Sequence, residues 1–298
     1  MTAALELALR RRFFAEELEA VAKLRSPRLV NAFATVPRER FLPVGPWTVV
    51  ADSDVNFQTL AGSLRYRTTA DADPARVYHN IAVAIDPARQ LFNGQPGTLG
   101  YWMDQLALAP RMRVLHIGAG LGYYTAVMAE CVGAEGRVVA YEVDAALARD
   151  AERNLARYPT VDLRHGDGSG RLDGPFDAML INAGVTHPLD TWLDAMAPGG
   201  SVVLPITTPM PAMGATLGKG VIVLVTAGAE GALDARIVTV VAVYSAEKVR
   251  DPSMNDTIGR ALMAGPARWT EVNRLRRDAH EPAASCWLHR DSCCFSAM

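Results

Sequence analysis

The chain has few cysteines, and they are unevenly placed. Four of its 298 residues are cysteine, and three of these lie within the last 13 residues. A network of disulfides across the fold is therefore not expected, and we predict a cytoplasmic protein with reduced thiols.

The sequence also has no surplus of one charge and no long apolar run. Thirty Lys and Arg face 32 Asp and Glu, a formal net charge of -2. A general electrostatic affinity for nucleic acid needs a basic surplus, so we expect no nucleic-acid partner. No segment reaches the roughly 18 to 20 apolar residues that span a bilayer, and the first basic residues follow the first apolar run instead of preceding it. We therefore expect neither a membrane partner nor a secretory signal.

Three regions differ in their sequence pattern. Residues 1–75 begin with apolar residues at helical spacing and continue into a proline-broken, polar stretch, which predicts a helical cap with a loop-rich segment from 47 to 75. Residues 76–210 alternate between strand and helix patterns, and 211–298 contain a hairpin and a C-terminal extension. The length accommodates such a core with additions at both ends.

The middle region predicts an α/β fold. Apolar runs such as VVAYE and AMLIN suit parallel strands that are buried on both faces. Strands are predicted at 112–117, 137–142, 160–164, 177–182 and 201–206, and helices at 96–109, 122–132, 144–157 and 188–197. This alternation predicts a doubly wound, mostly parallel sheet. After it, 220–227 and 235–245 predict an antiparallel hairpin, and a helix is expected near 255–264.

A glycine-rich loop is the most informative motif. The sequence VLHIGAGLGYYT runs from a strand through Gly118, Gly120 and Gly122 into a helix. Glycines allow a tight turn and a close approach of the backbone to a ligand, and the helix N-terminus offers free N–H groups. The next predicted strand ends in Glu142, 20 residues beyond Gly122, where a carboxylate can bind the hydroxyls of a ribose.

Dinucleotides and S-adenosylmethionine both fit such a loop. The register here is G-x-G-x-G, whereas a dinucleotide loop typically reads G-x-G-x-x-G. Asp167, in the segment HGDG after the third strand, adds a carboxylate that can accept from an adenine amino group. Together these features favour S-adenosylmethionine.

On these residues the chain resembles class I S-adenosylmethionine-dependent methyltransferases, and within them the protein-L-isoaspartate O-methyltransferase family. The matching segments are VPRERFLP (36–43), QP (95–96), VLHIGAGLGYYTAVMA (114–129), HGDGSG (165–170), GPFDAMLINAG (174–184) and APGGSVVLPI (197–206). The resemblance implies a Rossmann-like sheet, S-adenosyl-L-methionine as cofactor, and methyl transfer to a carboxylate. It places Gly118, Gly120, Glu142 and Asp167 in the cofactor site. The further residues predicted for that site are His116, Ala119, Gly122, Tyr123, Val143, Gly166, Gly168 and Asn182.

The chain departs from this family in the loop before Gln95. The family normally has a Thr/Ser-rich loop whose hydroxyl contacts the substrate, whereas this chain reads LFNGQP, with Asn93 in that place. An amide can both donate and accept, so Asn93 is a candidate for orienting a polar substrate; the alternative is a simple Asn-Gly turn.

Two histidines complete the catalytic candidates. His187 follows the fourth strand and is a candidate general base for a neutral acceptor, the alternative being a capping or solvated histidine. His79 precedes the NGQP loop and is a candidate for substrate contact. The tail combines Cys286, His289 and Cys293-Cys294, but this spacing matches no zinc finger or ribbon, so no metal is expected.

These features predict an S-adenosylmethionine-dependent methyltransferase acting on a small molecule or peptide, with O-methylation in specialised metabolism as the first interpretation. Conventional isoaspartate repair is the second interpretation, and a non-catalytic cofactor-binding module is the third. The acceptor, the atom methylated and the oligomeric state remain open.

Overall fold

A computed structural model describes residues 3–50, 66–210, 216–291 and 293–297 of the chain. Their internal contacts group them into two units. Unit 1 comprises Met1–Met112 with Ala119–His165, and unit 2 comprises Arg113–Gly118 with Gly166–Met298. Among the described residues, no helix combines the length and the apolar character needed to cross a membrane. The division at 75 and 210 expected from the sequence remains a prediction.

The described residues of unit 1 form five α-helices: α1 Ala3–Ala22, α2 Pro27–Thr35, α3 Pro96–Gln105, α4 Tyr123–Val132 and α5 Ala145–Leu155. Local sequence determines where they start. Ser26 accepts from the Leu29 N–H at 3.3 Å and Pro27 occupies the first turn of α2, where its missing N–H costs nothing. Every residue of helix α4 except Glu130 is buried, which accords with the predominantly apolar composition of this helix.

The strands of unit 1 form two groups. A four-stranded sheet has the order β2–β1–β3–β4, from β1 Thr48–Val50, β2 Arg67–Thr68, β3 Ala82–Asp86 and β4 Leu91–Phe92. Strands β6 Arg137–Glu142 and β7 Val161–His165 pair in parallel. Within the segment predicted as loop-rich, 47–75, the short strands β1 and β2 pair antiparallel, and the other described residues include coil and bends. Residues 51–65 of this segment lie outside the described residues.

Unit 2 carries one continuous set of paired strands. Strands β5 Arg113–Ile117, β8 Phe176–Ile181 and β9 Met196–Pro209 run parallel, in the order β5–β8–β9. The sheet then continues antiparallel through β10 Leu217–Ala227 and β11 Leu233–Tyr244, which confirms the predicted hairpin. Three short strands that the sequence did not predict follow in the order β12–β14–β13: β12 Arg274–Arg276, β13 Cys286–Arg290 and β14 Cys293–Ser296.

The helices of unit 2 are short: α6 Asp190–Asp194, α7 Asn255–Met263 and α8 Gly265–Trp269. Helix α7 lies close to the predicted 255–264, whereas α6 spans only five residues because the chain enters β9 already at Met196. With parallel central strands and flanking helices, the α/β class predicted from the sequence is confirmed.

Candidate functional site

In unit 1 the glycine loop is tied to Glu142 at the end of β6. The Gly120 N–H donates to Glu142 Oε2 at 2.7 Å, and the Asp144 N–H donates to Oε1 at 2.9 Å. Glu142 is only 6 % exposed, and this burial raises the pKa of its carboxyl while the two backbone N–H groups oppose the shift. Each oxygen of the carboxylate keeps a further lone pair for a ligand hydroxyl.

Glycine is required where this loop enters α4. Gly122 is the N-cap residue of α4 and adopts φ 96°, in the left-handed region. A Cβ at this position would lie 2.8 Å from Leu155 Cδ1, so space as well as backbone conformation excludes a larger residue. Gly120 has φ 57°, and a Cβ there would have Ile85 as its nearest neighbour, at 3.9 Å. The backbone is therefore left uncovered beside the Glu142 carboxylate.

In unit 2 the first glycine of the loop contacts the end of β8. The Asn182 N–H donates to the Ile117 carbonyl at 2.8 Å, and Asn182 Nδ2 donates to the Gly118 carbonyl at 3.3 Å. Gly118 adopts φ 84°, and a Cβ would lie 3.1 Å from the Asn182 carbonyl oxygen. The structure therefore brings together two residues that the sequence predicted for the cofactor site.

The Asp167 loop is organised by its own hydrogen bonds. Asp167 Oδ1 accepts from both the N–H and the hydroxyl of Ser169, at 3.0 and 2.7 Å, and these bonds lower the pKa of the Asp167 carboxyl. The Gly168 carbonyl accepts from Trp192 Nε1 at 2.8 Å. Asp167 is thus ionised at neutral pH, partly exposed, and held by a loop anchored on a buried tryptophan.

Two predicted cofactor residues have other surroundings. His116 is completely buried in β5, and burial lowers the pKa of its imidazole to about 3, so the ring is neutral. Tyr123 packs among aromatic side chains of unit 1, with ring centroids 5.9 Å from Phe41 and 5.1 Å from Tyr124. Tyr123 is therefore a core residue of α4, and its role in the cofactor site remains a prediction.

At two of the remaining predicted positions, a backbone group already has a hydrogen-bond partner within unit 1. The Ala119 N–H donates to the Tyr141 carbonyl at 3.0 Å, and the Val143 carbonyl lies 3.1 Å from His165 Nε2. Gly166 adopts φ 153° where β7 ends.

Arg38, which the sequence did not single out, organises the region around Asn93. Its guanidinium is completely buried and donates to the carbonyls of Val77 (2.6 Å), His79 (3.0 Å) and Ile81 (2.6 Å), and to Asn93 Oδ1 (3.4 Å). Burial lowers the pKa of this guanidinium, yet arginine stays protonated in proteins. Within the described residues it forms no ion pair. The motif VPRERFLP contains this arginine, but nothing in its spacing distinguishes a buried arginine from an exposed one.

Asn93 has a structural role on its oxygen and an open donor on its nitrogen. Oδ1 also accepts from the Val83 N–H at 3.0 Å, which fixes the side chain against β3. Nδ2 is buried and has no hydrogen-bond partner among the described residues. The neighbouring Gly94 carbonyl accepts from the Tyr124 hydroxyl at 2.9 Å. The amide of Asn93 is therefore oriented in advance and presents one unused donor.

His79 and His187 lie in different surroundings. The imidazole of His79 is exposed, and only its backbone carbonyl reaches Arg38. His187, in unit 2, is half-buried, with Nδ1 at 2.9 Å from Thr186 Oγ1, and that hydroxyl accepts from the Asp251 N–H. Burial and the nearby Arg290 lower the pKa of His187, so its ring is neutral at pH 7. Of the three catalytic candidates, Asn93 and His79 both contact Arg38 in unit 1, and their roles in catalysis remain predictions.

The chain matches one known protein family over a region that contains these loops. Residues 65–213, half of the chain, match the model of the Protein-L-isoaspartate(D-aspartate) O-methyltransferase (PCMT) family. Curated protein-L-isoaspartate O-methyltransferases are similar to the chain: one from Thermotoga maritima is 29 % identical over 187 residues and one from Aeropyrum pernix is 30 % identical over 200 residues. These matches cover 61 % and 65 % of this chain but only 51 % and 65 % of the two relatives, so the chain spans about half to two thirds of their length.

Solved structures show the same fold. A protein-L-isoaspartate O-methyltransferase superposes with a TM-score of 0.59 at 24 % identity, covering 83 % of this chain and 69 % of that one. A Plasmodium falciparum structure, described as a protein-L-isoaspartate O-methyltransferase in complex with S-adenosyl-L-homocysteine, gives 0.58 at 17 % identity, covering 80 % and 98 %. These structures show the fold, and the family model that matches half of the chain shows more: the chain belongs to the protein-L-isoaspartate O-methyltransferase family.

Proposed function

We propose that this protein is an S-adenosylmethionine-dependent carboxyl O-methyltransferase whose acceptor is an isoaspartyl residue in a peptide or protein. The hydrogen bond from the Gly120 N–H to Glu142 Oε2 is the structural observation that supports S-adenosylmethionine as the cofactor. Membership of the family carries the acceptor assignment. Of the interpretations drawn from the sequence, isoaspartate repair is thus the better supported, and the comparisons give no support to specialised metabolism.

The residues present fit S-adenosylmethionine. Glu142 would accept from the ribose hydroxyls with its remaining lone pairs, and the uncovered backbone at Gly120 leaves room beside it. For Asp167, the contact with the adenine amino group stays a prediction from the sequence; its Oδ2 takes no part in the bonds to Ser169. When bound, S-adenosylmethionine supplies a methyl group on a positively charged sulfur, which reacts with a nucleophile.

A carboxylate acceptor needs no general base. With an ordinary pKa near 4 it is already ionised at neutral pH, so the protein has only to orient it. For this proposal, His187 is therefore not required to take a proton, and the groups that hold the acceptor decide the rate.

Arg38 and Asn93 support an anionic acceptor. The buried guanidinium brings a full positive charge into a low-dielectric region, and no carboxylate among the described residues forms an ion pair with it. Its bond to Asn93 Oδ1 turns the Nδ2 donor away from Arg38, and that donor is unused among the described residues. A carboxylate that accepts from Asn93 Nδ2 would satisfy the buried donor and be favoured by the Arg38 charge.

A second acceptor class is favoured by one observation. Where the family has a hydroxyl, this chain has Asn93, whose oxygen already accepts from the Val83 N–H and from Arg38. The Asn93 side chain can therefore donate a hydrogen bond to the substrate through Nδ2, but it has no hydroxyl with which to contact the substrate. A different peptide or small-molecule carboxylate that needs only a donor would fit the same loop.

The test compares two isomeric peptides. The full chain is incubated with methyl-labelled S-adenosylmethionine and either an isoaspartyl peptide or the same peptide with a normal aspartyl residue. Base-labile methyl ester should form on the isoaspartyl peptide alone. Equal or no labelling of the two peptides, in a protein that binds S-adenosylhomocysteine, would reject the isoaspartyl acceptor and favour the second class.

A further inference from the structure

We propose that the C-terminal strands of unit 2 hold a structural zinc ion bound by His280, Cys286, His289 and Cys294. One ligand-type atom from each of these four side chains lies within 4.8 Å of the other three. Two sulfurs and two imidazole nitrogens are the donor set of Cys₂His₂ zinc sites. Nothing in this assignment depends on the methyltransferase proposal.

A β-bulge brings three of these residues to one face of the β13–β14 hairpin. His289 pairs with Cys294 and Cys286 pairs with Ser296, so the partners of the two ligands on β13 are two residues apart on β14. On a regular strand, Cys286 and His289 would point to opposite faces, since side chains alternate. The register shift between Cys286 and Leu288 inserts one extra residue and places both on the face that carries Cys294.

His280 reaches the cluster from the connection between β12 and β13 with the correct nitrogen. Its Nδ1 lies 2.8 Å from the Asp278 carbonyl oxygen, which can only accept, so Nδ1 carries the proton. The lone pair is then on Nε2, which is 3.7 Å from Cys286 Sγ. Tetrahedral zinc, with Zn–S of about 2.3 Å and Zn–N of about 2.0 to 2.1 Å, separates sulfur and nitrogen by about 3.6 Å. A backbone carbonyl on the second nitrogen is also the usual support of a zinc-bound histidine.

The surroundings of the other three ligands agree with metal binding. His289 Nδ1 is buried without a hydrogen-bond partner in the described part of the chain, and coordination through this nitrogen would satisfy it. The Ala283 N–H points at Cys286 Sγ at 3.3 Å, a contact that stabilises a thiolate. Cys294 is completely buried, and two thiolates beside a divalent cation make a neutral centre that tolerates such burial.

Zinc is the metal that this donor set selects. Thiolate and imidazole ligands suit zinc in tetrahedral geometry, whereas magnesium and calcium require oxygen ligands. With four protein ligands, no position remains for substrate or water, so the ion is structural. The zinc ion would join the β13–β14 hairpin to the loop that carries His280. Strand β13 also contains Arg290, whose Nε lies 3.7 Å from Asp251 Oδ2.

The experiment measures metal content in the full chain and three cysteine variants. Each protein is purified under reducing conditions, incubated with zinc sulfate, desalted and analysed by mass spectrometry for metals. We expect about one zinc per chain in the wild type and a loss of at least about fivefold in Cys286→Ala and Cys294→Ala. Cys293→Ala is the matched control, because Cys293 is also buried on β14 but points to the other face; it should keep its zinc.

Two further measurements distinguish a loss of zinc ligands from misfolding. His280→Ala alters a loop residue and should lose zinc while its circular dichroism spectrum stays that of the wild type. X-ray absorption of the wild type should fit two sulfurs and two nitrogens at zinc-ligand distances. Less than about 0.1 zinc per chain in the wild type, equal zinc in the Cys286, Cys293 and Cys294 variants, or a Cys286–Cys294 disulfide in the reduced preparation would overturn the proposal.

Discussion

His116 illustrates how a single buried residue makes stability depend on pH. Its pKa is about 3 in the folded chain, against about 6.5 when unfolded, so the unfolded state binds more protons between these values. The contribution is fully present above pH 6.5 and is lost as pH falls towards 3. The free energy of unfolding of the wild type should fall by up to about 1.4 kcal/mol per pH unit in this window through His116. In His116→Gln, urea unfolding at pH 6.5 and 5 should show a correspondingly smaller fall, and an identical fall in both proteins would contradict the assignment.

His187 separates two classes of acceptor. If the acceptor is a carboxylate, His187→Ala should change kcat on an isoaspartyl peptide by less than about tenfold, because no proton has to be removed. Glu152→Ala, which removes an exposed carboxylate of α5, serves as the control. Steady-state kinetics between pH 6 and 9 make the comparison. A loss of about 10² to 10⁴ in kcat for His187→Ala alone would identify a general base and speak against the carboxylate.

At the scale of the element, α4 is bounded by two glycines whose backbone conformations differ. Gly133 has φ 70° and ψ -172°, a region that essentially only glycine adopts, whereas Gly122 has φ 96° and ψ 3°, and a Cβ there would meet Leu155 at 2.8 Å. Gly122→Ala should cost about 1–2 kcal/mol for the left-handed conformation and about 1–3 kcal/mol more through overpacking. Urea unfolding measures this cost in the wild type and in a Leu155→Ala background, where it should be smaller. An equal cost in the two backgrounds would show that Leu155 does not restrict the loop.

The core elements could be predicted because local pattern and tertiary burial agree there. Strand β6 coincides with the predicted 137–142, and β5 begins one residue after the predicted 112. The proximity of Gly120 and Glu142 could also be predicted, because a glycine loop after one strand lies near the end of the next strand. These features follow from alternation and spacing, which a sequence displays directly.

Other features depend on contacts that no spacing reveals. The spacing of cysteines and histidines in the C-terminal segment matches no zinc motif that we recognise from sequence. A β-bulge decides which face of the hairpin Cys286 occupies, and the alternation of residues in the sequence does not reveal a bulge. Arg38 is one arginine in a charged motif, and only the fold surrounds it with carbonyl oxygens. Strands β1 and β2, of three and two residues, are too short to leave a period.

At the scale of the whole molecule, the C-terminal segment belongs to the core of unit 2. Trp287, Leu288 and Phe295, on β13 and β14, are buried, and Trp287 Nε1 donates to the Ala261 carbonyl of α7 at 3.0 Å. Burial of each such side chain contributes about 1.5–3 kcal/mol. Deleting 285–298 should therefore lower the Tm by about 10 °C or more and impair S-adenosylhomocysteine binding and turnover together. A truncated protein with an unchanged Tm that lost turnover alone would contradict this structural role.

The central functional claim is that the loop at Gly120 and the Glu142 carboxylate bind S-adenosylmethionine, and calorimetry with S-adenosylhomocysteine tests it most directly. The wild type should bind S-adenosylhomocysteine and show no heat with NAD. Glu142→Ala removes a charged acceptor worth about 1.5–3 kcal/mol, so its Kd should rise roughly 10- to 150-fold. Glu152→Ala, which removes an exposed acid from α5, should bind like the wild type. Equal affinity in the Glu142 and Glu152 variants, or binding of NAD in place of S-adenosylhomocysteine, would contradict the claim.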